Sequence, residues 1–314
     1  MHERHCGDKG LQPNGPGNES RRCTLKRRAR RGKRPAFEFS RLEKPDPQFD
    51  LRHQLKRELN HKGRAAAPFE TRSSARREDR LRAETLSRTT NSSLKTQRLQ
   101  ARLDRNARGG MRKTFASSAF MRELRRRLCG AVLELIDRER HQNVWLYTVV
   151  PEWWRIPGAD LRKTKTKNLL QQFRSQLNRR GLAQLEGWMV VAIHGDYDPV
   201  SDIFNIHLHI ICAGDKAKAI EELRGTRLYQ PTGFVARPIV RQRLQHAPRQ
   251  VSYFVCQPFW PAKFRAENRS PGRRTRIPAE RLSEWLIWMD QQTFTDLIWL
   301  HNCEIKNGRL VSCR

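Results

Sequence analysis

Acidic side chains are scarce in this chain, with 32 Asp and Glu against 63 Lys and Arg, a formal net charge of +31 and an isoelectric point near 11.1. Such an excess sets up a strong field for polyanions and predicts salt-sensitive binding to phosphate backbones. No apolar run approaches the roughly 18 residues that a membrane-spanning helix needs, and Met1–Cys6 has none of the apolar core of a secretion signal. A soluble, intracellular protein with no membrane partner is expected. The seven cysteines are scattered without a CxxC pair, which fits reduced thiols better than a disulfide frame or a zinc ribbon. No GxxxxGK[ST] phosphate loop is present, so nothing points to ATP chemistry.

The charge is spread over the whole chain. Residues 1–115 hold 31 basic and 13 acidic side chains, net +18, and the remainder holds 32 and 19, net +13. The first stretch is short of large apolar residues and carries the basic block Arg21–Arg34. It is expected to be a largely disordered nucleic-acid-binding extension, with a polar helix forming transiently within 76–106. Residues 116–275 are read as the catalytic domain and 276–314 as an aromatic-rich helical segment packed on it.

From Ala116 onward the apolar residues recur periodically. Residues 116–139 read as an amphipathic helix and Val144–Val150 as a strand closed by Pro151. A basic amphipathic helix is expected over 160–181, capped by Asp160 and ended by Gly181. Its Arg162, Lys163, Lys165 and Lys167 are candidates to line a DNA groove, a solvated helix face being the alternative. Trp188–His194 and 204–212 read as neighbouring antiparallel strands, 214–225 as a short helix, 233–241 as extended and 249–257 as a helix. Two aromatic-rich helices over 278–290 and 291–301 end the chain, with Trp285, Trp288, Leu297 and Trp299 as packing residues. The fold class is α/β in the α+β sense, with a central, mostly antiparallel sheet of about five strands and flanking helices.

The most informative segment is Phe204–Ile211, Phe-Asn-Ile-His-Leu-His-Ile-Ile. Strand side chains alternate, so His207 and His209 share a face while Ile206, Leu208 and Ile210 share the other. Two adjacent imidazoles in a core strand are costly to bury unless they bind something, and a divalent metal is one such partner. A hydrogen-bonded pair beside a sheet edge is the other reading. His194 ends the preceding strand, where a hairpin would return it alongside, and Asp196 shares its parity, so either residue can face the pair. Three protein ligands would leave positions open, as in catalytic rather than structural sites.

Three ordered motifs make residues 144–260 resemble the HUH endonucleases, in particular the rolling-circle replication initiators of plasmids and small phages. Leu146-Tyr147-Thr148 resembles the first motif. Asn205-Ile206-His207-Leu208-His209 resembles the histidine motif, with Asn205 where many members have a further histidine. Val251–Val255 resembles the helix that carries the nucleophilic tyrosine, here Tyr253. The strand over 188–195 matches the segment that supplies a third ligand, commonly Glu, at the position of His194. Three departures stand out. Cys256 occupies the place of a lysine three residues past the tyrosine, leaving Lys263 and Arg249 as candidate cations. Arg249 and Gln250 stand where members that terminate by hydrolysis carry a Glu. Gln257 excludes a second tyrosine one turn on, so a single-tyrosine enzyme is implied.

The resemblance implies a bacterial, cytoplasmic enzyme that nicks and rejoins one strand of single-stranded or hairpin origin DNA, with a host helicase and DNA polymerase as partners. A phenol is a weak nucleophile at neutral pH because it ionises near pH 10, and a metal holding the phosphate in line would offset that. Attack by Tyr253 would leave a 5′-phosphotyrosine and a 3′-hydroxyl primer. Imidazole ligands favour Mn²⁺ or Zn²⁺ over Mg²⁺. A single-tyrosine transposase or a mobilisation relaxase shares these motifs. A non-enzymatic DNA- or RNA-binding protein with structural histidines is the rival of another class.

Overall fold

The computed structural model describes residues 71–89, 93–245, 247–255, 260–263, 274–307 and 309–313, with the side chains of Pro248, Arg249 and Arg274 outside that set. The basic block Arg21–Arg34 and Cys256 lie outside the described residues. Three helices come first: α1 (Arg72–Ser87), α2 (Leu94–Ala107) and α3 (Ser118–Arg138). Strands β1 (Val144–Val149) and β2 (Arg155–Pro157) lead through a 3-10 turn, Gly158–Lys163, into α4 (Thr166–Asn178). The long hairpin β3 (Met189–Asp198) and β4 (Ile203–Ala213) follows, then α5 (Lys216–Glu221), β5 (Ile239–Arg243) and α6 (Ala247–Phe254). Short strands β6 (Ala262–Lys263) and β7 (Arg274–Thr275) precede α7 (Ala279–Asp290), α8 (Phe294–Leu297), β8 (Ile298–His301), β9 (Cys303–Lys306) and β10 (Arg309–Ser312).

The main sheet runs β5-β1-β4-β3-β6-β7, with β2 also pairing β4 and β8 also pairing β3. Every pairing is antiparallel except β3 with β6. This is the expected α+β class. The histidine strand β4 is central, flanked by β1 and β3 and buried almost throughout. A strand covered on both faces reads as a continuous apolar run, and β4 does, apart from its two imidazoles and Asn205.

Register fixes the faces, because residues paired across an antiparallel ladder point the same way. Thr148, His209 and Ala192 form one rung, His207 and His194 the next, and Asn205 and Asp196 the one after. The other face carries Tyr147, Ile210 and Val191, and the Tyr147 hydroxyl donates there to Glu221 of α5 at 2.8 Å. Gly195 sits between the two rungs of the hairpin for a steric reason. A Cβ at that position would meet the Trp260 ring at 2.5 Å.

Residues 72–107, expected within the disordered extension, form two packed helices instead. Their few apolar side chains are all spent inward, with Leu86, Leu99 and Leu103 fully buried. Buried polar groups do the rest. The carboxylate of Asp79 accepts from Ser117 Oγ at 2.6 Å and from the backbone N–H groups of Ser118 and Ala119, so one helix caps the start of another. The Arg82 guanidinium donates to the Ala116 carbonyl at 2.8 Å and lies 5.2 Å from the Trp285 ring. The first and last of the three expected regions therefore share one core.

Three further expectations are corrected. Over 160–181 the helix is only Thr166–Asn178, begun by Lys165 without a side-chain cap, while Asp160 pairs with Lys163 at 2.8 Å. The extended segment is Ile239–Arg243 rather than 233–241. Residues 291–301 make one turn closed by a Thr293–Asp296 capping box and then the strand β8, because Ile298–Leu300 pair with Ala192–Val190 on the edge of β3.

Membership of α2 in the core has a measurable consequence. Leu103→Ala should lower unfolding free energy by about 2–5 kcal/mol in urea. Leu94→Ala, at a position 71% exposed, should change it by less than about 0.5 kcal/mol. Equal, negligible effects would show that α2 is an appendage.

Candidate metal centre

His194, His207 and His209 come together on one face of the β3–β4 hairpin, with one ring nitrogen from each within 4.8 Å of the others. All three are buried, at 2%, 8% and 2% exposure. The hairpin does this directly. His194 faces His207 across the ladder, and His209 lies two residues further along β4 on the same face. The rings of His194 and His209 approach to 3.9 Å between centroids.

The hydrogen bonds decide what these rings can bind. Nδ1 of His207 lies 3.2 Å from the Asn205 carbonyl oxygen. Backbone carbonyls of Phe254 and Tyr253 hydrogen-bond His194 and His209 respectively. A carbonyl only accepts, so each imidazole spends its N–H on the backbone. The remaining nitrogen then carries a lone pair. Nε2 of His194 and Nδ1 of His209 are buried with no hydrogen-bond partner. An orphaned buried acceptor is costly, and a carbonyl-anchored imidazole with its other nitrogen free is the outer-shell pattern of metal-bound histidine. These residues therefore fit a divalent metal. A dry apolar packing role would leave two acceptors unpaired.

The electrostatics agree with neutral rings. Burial holds the imidazoles of His194 and His209 well below the usual histidine range, and the neighbouring imidazoles push in the same direction. The positive charges of Arg125 and Lys263 add to the effect on His194. Burial also lowers His207, partly offset by the Asp196 carboxylate. Metal ligation requires deprotonated nitrogen, which this environment already favours.

Asp196, the alternative ligand, is engaged elsewhere. Its carboxylate accepts from Asn205 Nδ2 at 3.1 Å and from Lys263 Nζ at 2.5 Å. Lys263 is thereby held next to the triad. Tyr253 is also there: its ring centroid lies 5.0 Å from that of His209, its side chain is 42% exposed, and Phe254 closes the buried side of the same imidazole at 4.6 Å. Thr148 of the first motif stands opposite His209 in the β1–β4 register. Arg249 lies in α6 with its side chain outside the described residues.

Arg162, Lys163, Lys165 and Lys167 are not brought to the triad. They precede or begin α4, whose Arg174 lies over Trp299 at 5.7 Å. Trp299 pairs with Val191, which faces away from the histidines. Arg162 instead approaches Glu284 at 3.5 Å. The open groove of about 1000 Å³ lined by Trp145, Gly187, Gly214 and Arg241 lies toward the other end of these strands and includes none of the three histidines.

Arg125 is the participant that sequence reasoning missed. It lies buried in α3 at 4% exposure, and its guanidinium donates to the Ser252 carbonyl at 3.2 Å. Its run, Arg125–Arg127, reads as a solvated basic face. The available signal was its place between Met121, Leu124 and Leu128 on the apolar stripe.

Because the folded histidines titrate below an exposed one, protonation favours the unfolded chain. Metal-free protein should keep full stability above about pH 6.5 and lose it as pH falls toward the depressed values. The slope should approach about 1.4 kcal/mol per pH unit for each histidine involved, read from urea unfolding between about pH 7 and about pH 5. It should be shallower in His194→Gln. A flat profile would mean that the rings are open to water. No protein-family model, curated protein or solved structure matches this chain.

Proposed function

We propose that this protein is a metal-dependent, site-specific DNA endonuclease and strand transferase that initiates rolling-circle replication with Tyr253 as its nucleophile. The observation that carries the reading is the convergence of an exposed phenol ring on three buried imidazoles, 5.0 Å from the nearest of their rings. A purely structural histidine cluster has no need of an accessible tyrosine against it. The net charge of +31 supports a polyanionic substrate.

A divalent ion held by His194, His207 and His209 would supply charge neutralisation and alignment at the scissile phosphate. The chain's own groups do the rest. The Tyr253 oxygen attacks phosphorus and gives up its proton as the bond to the 3′ oxygen breaks, and that oxygen takes up a proton to leave a 3′-hydroxyl. The phosphodiester becomes a 5′-phosphotyrosine, so rejoining is the reverse reaction and consumes no nucleotide. Lys263, anchored by Asp196, provides the cation that Cys256 does not. Arg125 and the two carbonyl-bound imidazoles hold α6, and with it the phenol, against the triad.

Incubation with single-stranded DNA of the native replicon and Mn²⁺ should yield a nucleotide adduct on the peptide containing Tyr253. Tyr253→Phe should abolish the adduct and leave oligonucleotide affinity within about twofold, since a lost hydroxyl changes no phosphate contact. An adduct that persists in Tyr253→Phe would sink the assignment. With three nitrogen ligands, Mn²⁺ should support faster nicking than Mg²⁺. Equal or faster nicking with Mg²⁺ alone would count against His194 as a ligand.

A further inference from the structure

The triad face of the sheet carries a second cation that no motif includes. Arg155 of β2 pairs with Asn205 of β4 and so points to the same side as His207. It extends the Asn205–Asp196 rung across the sheet, with Lys263 at the far end. Its guanidinium carbon lies 3.9 Å from the centre of the Phe234 ring, and its Nε is buried without a hydrogen-bond partner. Phe234 is 56% exposed, and a Cβ on the adjoining Gly233 would meet nothing within 4 Å. The surface around that ring is open.

The same two loops hold further exposed apolar groups. Trp153 packs edge-on against Tyr229 at 5.2 Å while remaining 37% exposed, and Leu228 is 52% exposed. Between Leu223 and Arg243 the sequence has five arginines and no carboxylate. An open aromatic ring beside an arginine in a uniformly positive segment matches what an unpaired nucleotide offers: a flat π face and a phosphate. A protein partner with an apolar patch would gain nothing from the charge, and duplex DNA would hide its base faces from the ring.

We propose that Phe234 and Arg155 form a stacking and phosphate-binding subsite for single-stranded DNA, about 7 Å along β4 from His207. A strand held there would run along the Asn205 rung into the triad. The choice of DNA rests on the proposed function, whereas the stacking geometry does not.

The test uses the full chain in chelator, so that no cleavage intervenes, with a labelled 20-nucleotide single strand, the same sequence as RNA, and the duplex. Phe234→Ala should weaken binding to the DNA strand about tenfold, Phe234→Trp should restore it, and the salt dependence should be unchanged in both. Arg155→Ala should reduce the slope of log affinity against log salt by about 0.7, the value for one phosphate contact to a single strand. Unchanged affinity in Phe234→Ala, or tighter binding of RNA or duplex than of the DNA strand, would overturn the subsite. Loss of binding on Phe234→Ala in a protein that forms no Tyr253 adduct would support the subsite and refute only the strand-transfer chemistry.

Discussion

The backbone at the end of α6 is held by side chains that belong to the candidate metal centre. A helix leaves its last carbonyls without internal partners. In α6 the Ser252 carbonyl accepts from Arg125, while those of Tyr253 and Phe254 take the imidazole N–H groups of His209 and His194. Each ring therefore has two duties, one nitrogen holding the helix and the other facing the centre. The orientation of Tyr253 and the tautomers of the ligands are set by the same bonds. Remove either function and the other loses its geometry.

The charge around this junction is arranged to keep the rings neutral. Arg125 approaches from α3 and Lys263 from β6, and both disfavour an imidazolium at His194. The one nearby carboxylate, Asp196, is bound by Lys263 and Asn205, so its pull on His207 is only partial. A positively fringed, partly enclosed surface suits an incoming phosphate better than a free cation. The sheet supplies the rigidity, since β4 is clamped by β1 on one side and β3 on the other.

The parts of the fold that follow from alternation were legible in the sequence. The β3–β4 hairpin, the shared face of His207 and His209, and the placing of His194 opposite them all rest on a period of two, which needs no tertiary information. The helix under Tyr253 was readable from its apolar spacing. What was not legible depends on who packs against whom. Leu99 and Leu103 look too sparse to build a helix pair until α3 and α7 lend their surfaces, and Asp79 and Arg82 look solvated until they cap α3. Trp299 sits equally well on a helix or a strand, and the open edge of β3 selects the strand. Arg155 and Phe234 are 79 positions apart in sequence, so nothing local could pair them.

The Asp79 cap also sets the minimum length of any functional fragment. A version beginning at Ala116, where the histidine-bearing region first looks ordered, would leave the start of α3 with its amides unsatisfied and expose the faces of α3 and α7 now covered by Leu86 and Leu99. Such a fragment would be prone to aggregate on expression. The smallest well-behaved piece must begin at or before Thr71, whose side chain starts the first helix.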